Sequence, residues 1–218
     1  MSPATRVDLS HVDLSGLDLE QVVLEGASLF GVDLSGANLS GAILNEASLV
    51  NSTFQNAKLN DAKLIGAFLN DVDFTKASMR SASLNQAVAP SAIFDEADLR
   101  EASFEAANLT NANFVGAKLL DASLEVATLE GAFFIKADLT NASFKKSKIN
   151  GTDFERSYVF ESTYEMNLRL NKDKASSKLI FKLQPETEAP RLLTMNDLSE
   201  ATFEEATPPK NVKNSPSL

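Results

Sequence analysis

His11 is the only histidine in the 218 residues, and no cysteine accompanies it. A disulfide framework, a thiolate or histidine metal cluster and a cysteine nucleophile are therefore excluded. The other groups able to do chemistry are carboxylates. Asp8, Asp13, Asp18, Asp33, Asp73, Asp98, Asp138 and Asp153 each stand immediately before a large apolar residue. One position repeated so often reads as a structural role on an exposed face, whereas acid and base catalysis needs two unlike carboxyl environments converging on one cleft. No phosphate-binding loop, nucleotide fingerprint or calcium loop accompanies them. The expectation is a protein that is not an enzyme and holds no cofactor or metal, with His11 solvated at an outward corner.

Charge and hydropathy narrow the class further. A net charge of −10 opposes a phosphate backbone, so direct nucleic-acid binding is not expected. The opening residues lack an apolar signal core, and no run approaches the roughly 18 apolar residues of a membrane span. A soluble, cytoplasmic protein without membrane contact is the expectation.

The elements that position these side chains follow from one period. From Leu9 to Phe154, every fifth residue is large and apolar: 30 positions hold 19 Leu, 8 Phe, Met79, Ala89 and Ile149. Two residues before each sits a second column of 21 Ala, 5 Val, Leu17, Ser52, Ser147 and Thr152. A period of five fits neither the helical 3.6 nor a long strand's 2. Residues two apart share one side of a short extended piece, so both columns point inward and the chain then turns. All nine glycines fall two residues after the large position, the place where a tight corner asks for positive φ. Phe54, Phe74, Phe94, Phe114, Phe134 and Phe154 recur every 20 residues. That second period predicts a four-sided coil of stacked turns with an inward phenylalanine ladder. About 7.5 coils would span roughly 36 Å at the usual inter-strand spacing. Ala89 truncates the large column, and the neighbouring Pro90 is expected to remove a ladder donor and pinch the coil.

Ala37-Asn38-Leu39-Ser40-Gly41, Ala97-Asp98-Leu99-Arg100-Glu101, Ala107-Asn108-Leu109-Thr110-Asn111 and Ala137-Asp138-Leu139-Thr140-Asn141 fit the motif A(D/N)LXX, and the chain resembles the pentapeptide-repeat family over residues 7–156. The resemblance implies that family's all-β fold, a right-handed quadrilateral parallel β-helix. It also implies a functional option, because some members, plasmid-borne quinolone-resistance proteins among them, bind DNA gyrase or topoisomerase IV and imitate B-DNA in size and surface charge. No inserted loop breaks the phase here, so no functional loop of the family carries over to this chain.

Outside the repeats, residues 1–6 read as a lead and 157–183 as a cap of degenerate repeats, since a solenoid end exposes an open core and unpaired edge. Residues 184–206 read as a linker and a return segment, in which Leu198, Ala201 and Phe203 repeat the pattern out of phase. The polar, proline-bearing 207–218 is expected to be disordered.

The outward columns suggest contact surfaces. Phe30, Val50, Phe68 and Val88 fall on one predicted face, and Ile93, Val115, Phe133 and Ile135 on the next. Contiguous apolar strips on a soluble rod point to partners. Residues 7–57 hold seven acids and no base, while 136–182 carry a net +4. Asp8, Asp13, Asp18 and Asp33 are the candidate acidic surface. The leading expectation is a noncatalytic scaffold that binds protein partners through these strips and the acidic end. The alternative is a DNA mimic acting on a topoisomerase. Homodimerisation through an end or a strip stays open.

Overall fold

The computed structural model describes residues 6–159 and 191–192. The expectations for most of 1–6, for the cap beyond Val159, for the linker and return segment apart from Arg191–Leu192, and for 207–218 lie outside the described residues.

An unbroken ladder of parallel bridges joins residues 20 apart, from Asp8↔Ser28 to Asp138↔Tyr158. Each extended piece is too short to form a regular strand of its own, and stability comes from stacking on the pieces above and below. Four pentapeptides make one coil. The faces are named here by their first large residue: Leu9, Leu14, Leu19 and Leu24 in coil 1, with later coils adding 20.

The backbone hydrogen bonds explain the motif. Leu9 N–H donates to Ser28 O (2.8 Å), Ser28 N–H to Val7 O (2.9 Å) and His11 N–H to Phe30 O (2.9 Å), while Val12 N–H closes the corner on Leu9 O (3.2 Å). One amide per pentapeptide is left over, that of the residue just after the large one. Side chains take it up: Ser10 N–H donates to Asp8 Oδ1 (3.0 Å), Ser15 N–H to Asp13 Oδ1 (2.9 Å) and Ser35 N–H to Asp33 Oδ1 (2.9 Å). Asp or Asn before the large residue therefore satisfies the one donor that the ladder does not, which is how such residues behave in turns generally.

Pro90 occupies that same position. The expected loss of a ladder donor is corrected, because the N–H missing from proline is one the ladder never uses. Leu69 N–H still reaches Val88 O (2.7 Å), Asp71 N–H reaches Pro90 O (3.2 Å) and Ala89 N–H reaches Asn108 O (2.8 Å). Proline also suits the first central place of a corner whose second central residue has positive φ.

Every corner residue from His11 to Arg156 is left-handed, including Val126 at φ 61°. Glycine is needed most plainly at Gly131, where an added Cβ would collide with Asn111 Oδ1, and then at Gly31, where it would stand 2.9 Å from His11 Nδ1.

The core is a column, closed from Leu24 to Phe154, with Leu9, Leu14 and Leu19 only partly buried at the open first coil. Phe94, Phe114 and Phe134 stack with centroids 4.8 and 4.6 Å apart and planes within 8° and 3°. Phe104 meets Phe94 edge-on at 5.6 Å. Hydroxyls in the small column are satisfied internally: Ser52 Oγ donates to Leu29 O and Thr152 Oγ1 to Leu129 O, both at 2.7 Å.

At the far end β1 (Tyr158–Val159) pairs antiparallel with β2 (Arg191–Leu192), Tyr158 opposite Leu192 and Val159 opposite Arg191.

Candidate interaction surface

The stacking register decides which outward side chains share a face. Phe30 and Val50 follow the large residue in coils 2 and 3 of the Leu9 face, and Phe68 and Val88 precede it in coils 4 and 5. Phe30 and Phe68 are 38% and 48% exposed, Val50 and Val88 half-buried. His11 is exposed at its corner, as expected, and its ring meets Phe30 edge to face with centroids 5.2 Å apart.

Ile93, Val115, Phe133 and Ile135 lie on the Leu14 face in coils 5 to 7, Phe133 exposed and the others half-buried. The two strips lie on adjoining faces of the rod. They meet in coil 5, where Val88-Ala89-Pro90 leads round the corner at Ser91 directly to Ile93.

Sequence reasoning missed both ends of this surface. Val23 (63% exposed), Ile43 and Ile65 (38%) form an earlier strip on the Leu24 face in coils 1 to 3. Leu120 and Tyr158 stand on the Leu19 face in coils 6 and 8, separated by Asp138 and Thr140 of coil 7. The apolar side chains thus wind round the rod as they climb it, from the Leu24 face to Leu9, Leu14 and Leu19 in turn. Sorting outward residues by the 20-residue register was the available signal.

On the Leu9 face, every outward residue from Ser28 to Thr110 is uncharged, five successive coils in a chain that is 23% charged. The Leu14 face is interrupted by one polar pair. Asn113 Nδ2 donates to Asp95 Oδ2 (3.3 Å) and Val115 N–H to Asp95 Oδ1 (3.1 Å). Burial pushes the Asp95 carboxyl above the usual range, and nearby Asp73 and Glu96 add to the effect. Asn113 Oδ1 is buried and has no hydrogen-bond partner among the described residues.

On the Leu19 face, Asp98 is held by Arg100 through two bonds of 2.7 Å and by Arg80 Nε at 2.8 Å. Burial works against its ionisation, but the hydrogen bonds and charges of Arg100 and Arg80 outweigh it and bring the carboxyl to about 2. This is a tie between coils 4 and 5 rather than a reactive group.

The acidic candidates do not gather on one face. Asp8, Asp13 and Asp18 stand on three successive faces of coil 1, and Asp33 stacks over Asp13 in coil 2. They form a collar. The backbone N–H of Ser10 and then its side chain lower the Asp8 carboxyl, and the side chain of Ser15 and then its backbone N–H lower that of Asp13. Among the described residues, no group of three or more His, Asp or Glu could hold a metal ion, and no helix is long and apolar enough to cross a membrane.

With this geometry in view, the comparisons with known proteins agree on the fold. The family model for pentapeptide repeats matches in eight copies, over residues 8–45, 27–64, 52–88, 92–131 and 117–156. The chain belongs to the pentapeptide-repeat family and shares its right-handed β-helical fold. The matched spans pass over residues 89–91, where Ala89 and Pro90 depart from the motif. Trypsin-treated QnrB1, a plasmid-mediated fluoroquinolone resistance protein, superposes with a TM-score of 0.61 at 21% identity, over 69% of this chain and 78% of that one. HetL, a pentapeptide repeat protein involved in heterocyst differentiation regulation in the cyanobacterium Nostoc sp. strain PCC 7120, is 26% identical over 70% and 84% of the two chains, with a TM-score of 0.27. A pentapeptide repeat protein of the Arabidopsis thaliana thylakoid lumen is 32% identical over 52% and 69%, also at 0.27. No curated protein matches the chain.

Proposed function

We propose that this protein is a noncatalytic scaffold that binds protein partners along the winding apolar surface. The observation that carries the reading is the uncharged Leu9 face, on which Phe30, Val50, Phe68 and Val88 follow one another through four coils. Such a face on an otherwise charged rod is the kind of surface that partners cover. Desolvating it removes no ion from water, whereas the same contact over a charged face would have to offset that cost. The test is partner association measured for Phe68→Ser with Val88→Ser and for Phe133→Ser with Ile135→Ser. Association is expected to be lost in at least one double variant while the ladder, seen by circular dichroism, persists. Full association in both would reject the surface.

A second reading is modulation of DNA gyrase or topoisomerase IV, supported by the family, by the acidic collar and by the fold shared with QnrB1. It predicts inhibition or quinolone protection that weakens with salt. Charge reversal at Asp8, Asp13, Asp18 and Asp33 should reduce the effect. Activity of both enzymes unchanged across a full titration would remove this reading.

A further inference from the structure

Two copies of a chain with a net charge of −10 repel each other, so contact between them is favoured where like charges do not meet. The Leu9 face is such a place. Its two outward columns run through eight coils, and the charged residues in them are Asp8 in coil 1, Glu130 in coil 7 and Lys148 in coil 8. Its two corners add Arg6, Glu46, Asp71 and Lys146, beside His11.

A twofold axis parallel to the extended pieces, passing between coils 4 and 5, lays this face on that of a second copy with the rods antiparallel. Each outward column then meets itself with the coils in reverse order. Phe68, 48% exposed, falls opposite Val88 of the second copy at the middle of the contact. Ser48 falls opposite Asn108, and exposed Asp8 opposite exposed Lys148, each pair occurring twice. Apolar side chains at the centre, small uncharged ones around them and an ion pair at each end follow the usual anatomy of an interface.

The remaining charges fit the same register. Glu46 meets Ala106 and Asp71 meets Ser91, so neither corner acid meets another. Glu130 falls opposite Phe30, where its methylenes cover the ring and its carboxylate stays at the rim. Arg6 and Lys146 are the one like pair, and both are exposed at the edge, where long side chains part into water.

Other arrangements are worse. A parallel pair sets the two acidic ends side by side, each with seven acids and no base over residues 7–57. Sliding the antiparallel pair by one coil one way brings Asp71 against Asp71 of the second copy, and sliding it the other way takes Asp8 away from Lys148. The full register also uses the whole face. Eight coils span about 38 Å, and two outward residues per coil with the flanking corners come to about 30 residues a side, enough for a standard interface.

We infer that the Leu9 face binds a second copy of this chain, the two rods lying antiparallel with Phe68 against Val88 at the twofold axis. This rests on the reading of that face as a binding surface and names its occupant.

The test is sedimentation equilibrium of the full-length protein, for which a reversible dimer is expected. Ser48→Asp with Asn108→Asp sets like charges opposite each other twice and should weaken the dimer by at least about tenfold. Ser48→Asp with Asn108→Lys sets opposite charges there and should restore it. Within one chain the two positions are three coils apart, about 14 Å, so neither pair forms internally. Asp and Lys occupy the equivalent place elsewhere in the rod, as at Asp98 and Lys118, so the fold is retained. Ser83→Asp with Ser123→Asp adds the same charge on the Leu24 face and should leave the dimer intact. A native chain that stays monomeric into the millimolar range overturns the inference, while the loss of other proteins from the Phe68→Ser, Val88→Ser variant keeps its own test. A dimer indifferent to Ser48→Asp with Asn108→Asp places the contact on another surface and equally overturns it. So does a loss that Asn108→Lys fails to restore, or one that the Leu24-face variant reproduces.

Discussion

Ala89 and Leu129 hold the same inward position of the Leu9 face, two coils apart, and the other seven inward residues of their coils are identical. Coil 7 therefore shows that a leucine fits beside two phenylalanines and four alanines. Leucine at this place costs coil 7 nothing in ladder geometry, with Leu129 N–H at 2.7 Å from Lys148 O. Ala89→Leu is expected to stabilise the rod by about 1–2 kcal/mol, the usual yield of filling a cavity. A denaturant midpoint that falls would show that coil 5 has closed around the alanine.

Val126 offers a second gain. Its φ of 61° is a conformation that β-branched residues avoid, and it is 49% exposed, so little packing is lost on replacement. Asn51, Asn56, Asn111 and Asn141 serve equivalent corners. Val126→Asn should stabilise by about 1 kcal/mol, from the cost of left-handed backbone for ordinary residues. Thermal unfolding at neutral pH reads this directly, and an unchanged midpoint would mean that the corner carries no strain.

Asp95→Asn addresses the polar pair within the Leu14 strip. The carboxyl is raised by burial, so its ionised form is disfavoured in the fold at neutral pH. An amide keeps an acceptor for Val115 N–H and, with Asn113 reoriented, keeps one hydrogen bond to it, so the gain is relief of the cost of ionising a buried carboxyl. The folded pKa lies above the unfolded one, so the penalty in the native protein develops as pH rises through that interval and is absent below it. The variant's advantage should therefore be present at neutral pH and shrink in acid. An advantage that does not change with pH would separate the gain from ionisation.

Asp98 has the opposite sign. Its folded value of about 2 lies below the ordinary aspartate value of 3.8, so its contribution is complete above 3.8 and is lost as pH falls toward 2. Asp98→Asn should be less stable than the native chain at neutral pH, and the two acid-unfolding curves should converge over that interval. Parallel curves would mean that Arg80 and Arg100 do not set the carboxyl's affinity for protons.

The five-residue period made the interior legible before any coordinates, because each large residue and each alanine has one place to go once the chain turns every pentapeptide. The corners were legible only in part. Gly, Asn and Asp announce positive φ, but Glu101, Ala106 and Val126 adopt it too, since the ladder on both sides fixes the backbone regardless of local preference. Pro90 was misread because which amide the ladder leaves free depends on the corner's geometry. The outward apolar residues read from the sequence as two strips on adjoining faces. Their meeting at Pro90 and Ser91, and the earlier strip on Val23, Ile43 and Ile65, emerge only when every outward residue is assigned a face.

Each ladder bond joins residues 19 or 21 apart, so the register makes the rod behave like a gear. A single pentapeptide added just before Ile93 would preserve both buried columns and turn everything after it by a quarter revolution. Ile93 and Phe133 would then face where Asp98 and Asp138 do now, and the path from Val88 round Ser91 would lead to a different neighbour. Twenty added residues would restore the alignment and move it one coil along. The orientation of one outward strip relative to another is thus set by a whole number of pentapeptides, a quantity that duplication changes in discrete steps without disturbing what is buried.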